Sequence, residues 1–352
     1  MQEEGTALLA AVADTHPPAA EELPAGTAVF TDGAEMIAAG GTDIVAIATP
    51  IHTHFDLASA AIEAGNDVLL EKPTTATLEQ FEELVALAGA RGARVQIGFQ
   101  SLGSEGIRII RDRIASGEIG DVVRYGARGT WLRSFAYFNR SKWAGKRRMD
   151  GVVVADGALT NPFAHATATA LAIAGATRVD DVRGLELDLW RANDIEADDT
   201  SVAIFELPGG VRLTTAVTVA AREQVEPLVD VVGSEGTIRF WYTQDVIERL
   251  DASGVVVSTE TVGRSPLLEN LVDARTDGAP LIAPLVETGA FMRLVEGVMS
   301  APDPRRAASA EVATVDDEWG PRRVIAGVAA EVDRALREER TFTQLGSAFT
   351  RG

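Results

Sequence analysis

Residues 43–100 alternate three short apolar runs with two helix-length stretches, and that rhythm limits the fold more than anything else in the chain. The runs are DIVAIATP (43–50), DVLLEKP (67–73) and RVQIGFQ (94–100). Strands with apolar side chains on both faces need cover on both faces, and a strand–helix–strand repeat supplies it. The stretch HTHFDLASAAIEAG has helical spacing and stops at Gly65. TLEQFEELVALAGARG sets Leu78, Phe81, Leu84, Val85 and Ala88 on one helical face. ALLAAVAD (7–14) reads as a further buried strand ending in an acid, and Ile107, Ile110 and Ile114 mark a helix that ends at Gly117.

The pattern changes near residue 122. VVRYGARGTW opens a region of strands joined by hairpin signals, one at PGG (208–210) and one between Gly233 and Gly236. A helix is expected near 162–175 and more helices after 285. The chain therefore reads as an α/β protein with a nucleotide-type parallel domain over 1–122. An α+β domain with a mostly antiparallel sheet is expected over 123–352.

Composition narrows the function. A formal net charge of −20 opposes nucleic acid and anionic membranes, with RSKWAGKRR (140–148) the one basic stretch. There is no cysteine, so disulfides, thiolate chemistry and cysteine-ligated zinc are excluded. With four histidines and no HExxH, EF-hand or P-loop pattern, no metal is expected. The start MQEEG has no signal-peptide character, and the apolar stretch 151–177 is interrupted by Asp156, Asn161 and His165. The expected location is the cytoplasm.

Lysine occurs only at Lys72, Lys142 and Lys146, within 32 basic residues. Lys72 ends an apolar strand, where ligands of open parallel sheets lie. Pro73 disfavours helical backbone at Lys72, so the stem is expected to point toward that crevice. An ammonium is a compact donor that can follow one oxygen through a reaction, which a planar guanidinium cannot.

AIATPIHTHFDLASAAIEAGNDVLLEKP resembles the Gfo/Idh/MocA oxidoreductases, which include glucose-fructose oxidoreductase and inositol dehydrogenase. Their signature is a Thr-Pro after a strand, a histidine four residues beyond the proline, and Glu-Lys-Pro ending the next strand. Here these are Thr49, Pro50, His54, Glu71, Lys72 and Pro73, and SGEIGDV (116–122) and GSEGTIRF (233–240) extend the likeness. The resemblance implies a Rossmann-type first domain, a nicotinamide cofactor and a sugar or polyol oxidised or reduced beside it. It implies that Lys72 donates to the reacting oxygen. Thr49, Pro50 and Glu71 would line the ribose and nicotinamide, with Gln100 near the same end. His54 is expected to be a structural helix-start residue packed under the cofactor.

DGALTNPFAHATATA (156–170) carries the expected proton acceptor, His165. In the family an acid stands four residues before this histidine; here it is Asn161. Asn161–Pro162 reads as a helix cap followed by proline at the first helical position, which would keep His165 neutral at the positive helix end. Asn161 is either that cap or a substrate ligand, and His165 either the base or a satisfied core histidine. In NRSKWAGKRRMDG (139–151), either a solvated loop or a family-like sugar contact, Trp143 is the expected stacking residue.

The family fingerprint G-x-G-x-x-G does not occur in these 352 residues. The expectation is a domain without its first strand and glycine turn, and hence a gap in the parallel sheet. Asp14 ends the next strand where the family holds the ribose, which favours NAD over NADP. The reading is an NAD(P)-dependent dehydrogenase acting on a CH–OH group of a sugar, polyol or derivative, as a homo-oligomer. A non-catalytic sensor of the same fold and an NAD-dependent glycosidase-like enzyme are the alternatives.

Overall fold

The structure, a computed structural model, describes residues 6–351. The acidic start MQEEG lies outside the described residues. The chain forms two compact units: residues up to Phe99 together with Ser265–Val286, and Gln100–Arg264 together with Glu287 onward.

The first unit holds five parallel strands, β1 (Ala11–Ala13), β2 (Ala28–Phe30), β3 (Ile44–Ile47), β4 (Asp67–Leu70) and β5 (Val95–Ile97). They form two sheets rather than one: β1 pairs with β2, and β3, β4 and β5 pair in that order. Among the described residues, β1 and β3 are each hydrogen-bonded along one edge only. Apolar side chains that a continuous sheet would cover stay open, with Leu8 81% and Val29 42% exposed. The parallel strands are thus interrupted between the two sheets.

Helices α1 (Gly33–Ala39), α2 (His54–Glu63) and α3 (Leu78–Arg91) connect these strands. The α3 helix starts at Thr77, whose side chain accepts from the Gln80 N–H at 3.2 Å, and stops at left-handed Gly92. Its apolar face buries Leu78, Phe81, Leu84 and Ala88. The return of Ser265–Val286 was not legible in the sequence. Buried Gln96 anchors it, donating to Leu267 O at 2.9 Å and to Asn270 Oδ1 at 2.7 Å while accepting from the Ala283 N–H at 2.8 Å.

In the second unit, α4 (Gly106–Ala115) precedes β6 (Val122–Leu132) and α5 (Ala164–Ala174). The strands β7 (Gly184–Arg191), β8 (Thr200–Glu206), β9 (Arg212–Thr218), β10 (Ala220–Gly233), β11 (Gly236–Trp241), β12 (Val246–Leu250), β13 (Val256–Thr261) and β14 (Arg305–Arg306) follow. They build a nine-stranded sheet in the order β13-β12-β11-β10-β6-β9-β8-β7-β14. It is antiparallel except for the β6–β9 and β7–β14 pairs. Both expected hairpins are present, with Glu206 opposite Arg212 and Gly233 opposite Gly236.

Successive residues of β9 serve opposite faces. Thr215 meets Thr167 of α5 at 3.2 Å, whereas Ala216 joins a buried cluster with Val328 and Val332 of α6 (Val328–Glu338). Cover on both faces explains why β8 is buried from Thr200 to Phe205 and does not alternate between buried and exposed residues. The sequence boundary was drawn at residue 122; α4 packs within the second unit. No helix among the described residues is long and apolar enough to cross a membrane.

Candidate active site

Within the first unit the signature residues gather at the carboxyl ends of β3 and β4. Thr49 and Pro50 follow β3 and are exposed. His54 opens α2 and is 1% exposed. Its Nε2 lies 2.8 Å from the Thr49 carbonyl and its Nδ1 lies 2.9 Å from the Pro73 carbonyl. One imidazole thus ties the Thr-Pro loop to the Glu-Lys-Pro loop. Burial pushes its pKa below the ordinary histidine range, and the carbonyls around it oppose that shift.

Two expected results follow. His54→Ala strands buried carbonyls and should cost about 2 kcal/mol of stability in urea unfolding. Because the folded ring binds its proton more weakly than the unfolded one, stability is full above pH 6.5 and declines as the pH falls below it. The same variant should lack that part of the decline.

Glu71 and Lys72 follow β4, both half-buried, and the Lys72–Pro73 peptide is cis. The Lys72 N–H donates to Glu71 Oε2 at 3.2 Å. Gly98, just past β5, makes room for the Glu71 carboxyl: a Cβ there would come within 2.8 Å of it. The absence of a side chain at Gly98 therefore sets where Glu71 lies, a link that sequence spacing alone does not disclose. Asp14 follows β1, exposed, and accepts from the His16 N–H at 2.8 Å. Gln100 opens the second unit, where its carbonyl accepts from Arg264 at 2.7 Å.

In the second unit, His165 is the second residue of α5. The turn before it is fixed from several sides. Phe163 is fully buried against Gly129 of β6, where a Cβ would come within 2.3 Å of its ring, and packs at a tilt against Trp131, with ring centroids 4.7 Å apart. Buried Asp198 accepts from the Leu159 N–H at 3.3 Å and lies against Gly157. The His165 Nδ1 lies 3.3 Å from Ser101 Oγ, which accepts from Thr169 Oγ1 at 2.9 Å. A serine oxygen has two lone pairs, so it can accept from Thr169 and from a protonated Nδ1 together. That tautomer leaves the lone pair on Nε2, as a proton acceptor needs.

Of the two readings of Asn161, the helix cap is not the one that forms. The helix begins at Ala164 after Phe163, with no side-chain cap, because residues 158–163 are wound into a turn of their own. The Asn161 amide donates instead to Asp156 Oδ1 at 2.5 Å. Asp156 is 7% exposed and also accepts two bonds from Arg140, at 3.2 and 3.0 Å, and one from the Gly145 N–H at 2.7 Å. Trp143 is half-buried beneath Arg140, whose guanidinium lies 4.6 Å from its ring and 3.8 Å from that of Tyr137. The loop 139–151 thus bears a built guanidinium–aromatic stack and is not merely a solvated charge run. The sequence did not single out Asp156 and Arg140, which fix the Asn161 amide. The only sequence signal was a lone acid in an otherwise uncharged stretch before Asn161.

Residues 1–99 match an oxidoreductase family with an NAD-binding Rossmann fold, and residues 107–239 match the Gfo/Idh/MocA C-terminal domain. The chain belongs to the Gfo/Idh/MocA family.

Inositol 2-dehydrogenase 1 of Saccharopolyspora erythraea is 39% identical over 93 residues, 26% of this chain and 28% of the relative. The matched stretch thus spans less than a third of that curated relative. The WlbA dehydrogenase of Bordetella pertussis, solved with NADH and UDP-GlcNAcA, aligns with a TM-score of 0.68 at 23% identity, covering 84% of this chain and 88% of that one. An inositol dehydrogenase homologue from Azotobacter vinelandii, complexed with NAD+, aligns with a TM-score of 0.63 at 20% identity over 76% of this chain and 78% of that one. At these identities the two structures establish a shared fold.

The residues present fit the two ends of a dinucleotide better than its middle. Exposed Asp14 is a carboxylate suited to a ribose, and Thr49, Pro50, Glu71 and Lys72 share the end of β3 and β4. Among the described residues no glycine turn of the G-x-G-x-x-G kind links a parallel strand to a helix. Among them there is likewise no His/Asp/Glu group that could hold a metal.

Proposed function

We propose that this Gfo/Idh/MocA chain is an NAD(P)-dependent dehydrogenase, with NAD preferred, that oxidises or reduces a CH–OH carbon of a sugar, polyol or sugar derivative. The observation that carries the proposal is the mounting of His165: a half-buried imidazole at a helix start, held at Nδ1 by a serine that is itself held by a threonine. That is a base with an orienting partner, the arrangement general-base catalysis needs.

In the proposed reaction His165 Nε2 takes the hydroxyl proton of the substrate. Lys72 donates to the same oxygen and stabilises the negative charge that develops on it. Asp14 would hold a ribose hydroxyl pair, while Thr49, Pro50, Glu71 and Gln100 bound the nicotinamide side. Asn161 and Trp143 belong to the sugar side, Asn161 as a hydrogen-bonding amide and Trp143 as the aromatic wall that backs Arg140. A bound nicotinamide supplies the hydride acceptor in oxidation and the donor in reduction. The names of the relatives, inositol and nucleotide-sugar dehydrogenases among them, support a polyol or sugar as substrate class. A cytoplasmic homo-oligomer is the setting we propose for it.

The pH–rate profile for alcohol oxidation tests the base. Protonated imidazole cannot accept, so kcat/KM should fall on the acid side of the profile. His165→Ala should remove that limb and lower the plateau by about 100-fold or more. An acid limb unchanged in His165→Ala would assign the proton to another group.

A further inference from the structure

We propose that Asp156 is a positioning residue that fixes which edge of the Asn161 amide faces the proton handled by His165. The inference rests on the dehydrogenase reading. An asparagine side chain offers a donor on one edge and an acceptor on the other, and only its neighbours decide which way it is turned. Here the neighbour is a carboxylate. With Asn161 Nδ2 2.5 Å from Asp156 Oδ1, the reverse orientation would set carbonyl oxygen against carboxylate oxygen. The donor edge is therefore committed inward, and Oδ1 lies on the edge turned away from Asp156.

The carboxylate is itself immobilised. Arg140 reaches both of its oxygens, at 3.2 and 3.0 Å, and the Gly145 N–H reaches Oδ2 at 2.7 Å. The Arg140 guanidinium is sandwiched between Tyr137 and Trp143 and donates to the Tyr137 carbonyl at 2.8 Å. A chain of contacts thus runs from Trp143 through Arg140 and Asp156 to Asn161, four residues before His165. In this proposal the acceptor edge of Asn161, the one turned away from Asp156, acts on the imidazolium that His165 becomes. The carboxylate charge behind it polarises that edge while being neutralised by Arg140. An aspartate at 161 would bring two carboxylates together at that spacing, which gives a physical reason for asparagine at this position.

The test is a double-mutant cycle read on the titration of His165 by NMR in the full chain, with its ring signals assigned through their loss in His165→Gln. Asp156→Asn frees the Asn161 amide and should lower the titration midpoint of His165 by about half a pH unit. Asn161→Leu should lower it similarly, and the double variant no further than the single ones. Additive shifts would mean that Asp156 acts through its own charge, and no shift in Asp156→Asn would mean that it does not act on His165; either result overturns the proposal. The parent protein supplies a check independent of folding in the variants. Its Asn161 side-chain NH2 should exchange slowly with solvent, and free exchange would also overturn it. Because the cycle needs no turnover, failure of the dehydrogenase reading would appear separately, in the pH–rate profile.

Discussion

Lys72→Met should leave the fold intact and reduce turnover by about 100-fold or more, the usual worth of a positioned donor at an oxygen that gains charge. Lys72 follows β4 beside Glu71, in a loop held by His54, so the stem begins from a fixed point and the variant tests its head alone. Methionine keeps the length and apolar character of the stem and removes only the ammonium. Lys72→Arg should fail too, since a planar fork cannot follow one oxygen in the same space. Turnover would be measured with NAD+ across a panel of polyols and sugars, with melting curves to verify the fold. Near-parental activity in Lys72→Arg would remove the donor assignment.

The second large effect concerns the dinucleotide. The split between the β1–β2 and β3–β4–β5 sheets leaves two parallel edges without partners among the described residues, and the 352-residue sequence holds no G-x-G-x-x-G turn. The diphosphate of a dinucleotide normally rests on backbone N–H groups at such a turn. A chain extended at its N-terminus by a strand and a glycine turn should bind NAD+ about 100-fold more tightly than the 352-residue chain. That corresponds to one or two hydrogen bonds to a charged group, each worth roughly 1.5–3 kcal/mol. Isothermal titration of the two chains side by side makes the comparison. The extension should also raise the melting temperature, because the exposed apolar side chains of Leu8 and Val29 gain cover. Equal affinities would locate the dinucleotide away from the ends of β3 and β4.

The parts of this protein that its sequence determined are local. Periodicity marks α3, with Thr77 and Gly92 as its limits, because capping and helical spacing act within a few residues. The Thr49–Pro50, His54 and Glu71–Lys72–Pro73 signature was legible through its resemblance to the family, whose motif is local in sequence. His165 stood out as a lone imidazole in an apolar segment.

Tertiary structure decided what distant residues do to one another. Only folding brings Ser101 to His165, Gly98 to Glu71, and Gln96 to the returning segment near Leu267. It also turned Asn161 from a helix cap into the partner of Asp156. A cap is set by the backbone a few residues ahead, but an amide beside a buried, arginine-fixed carboxylate follows the stronger charge-assisted bond. Spacing along a chain records which residues can be neighbours on one element. Which edge of an amide faces the chemistry depends on charges brought in from elsewhere in the fold.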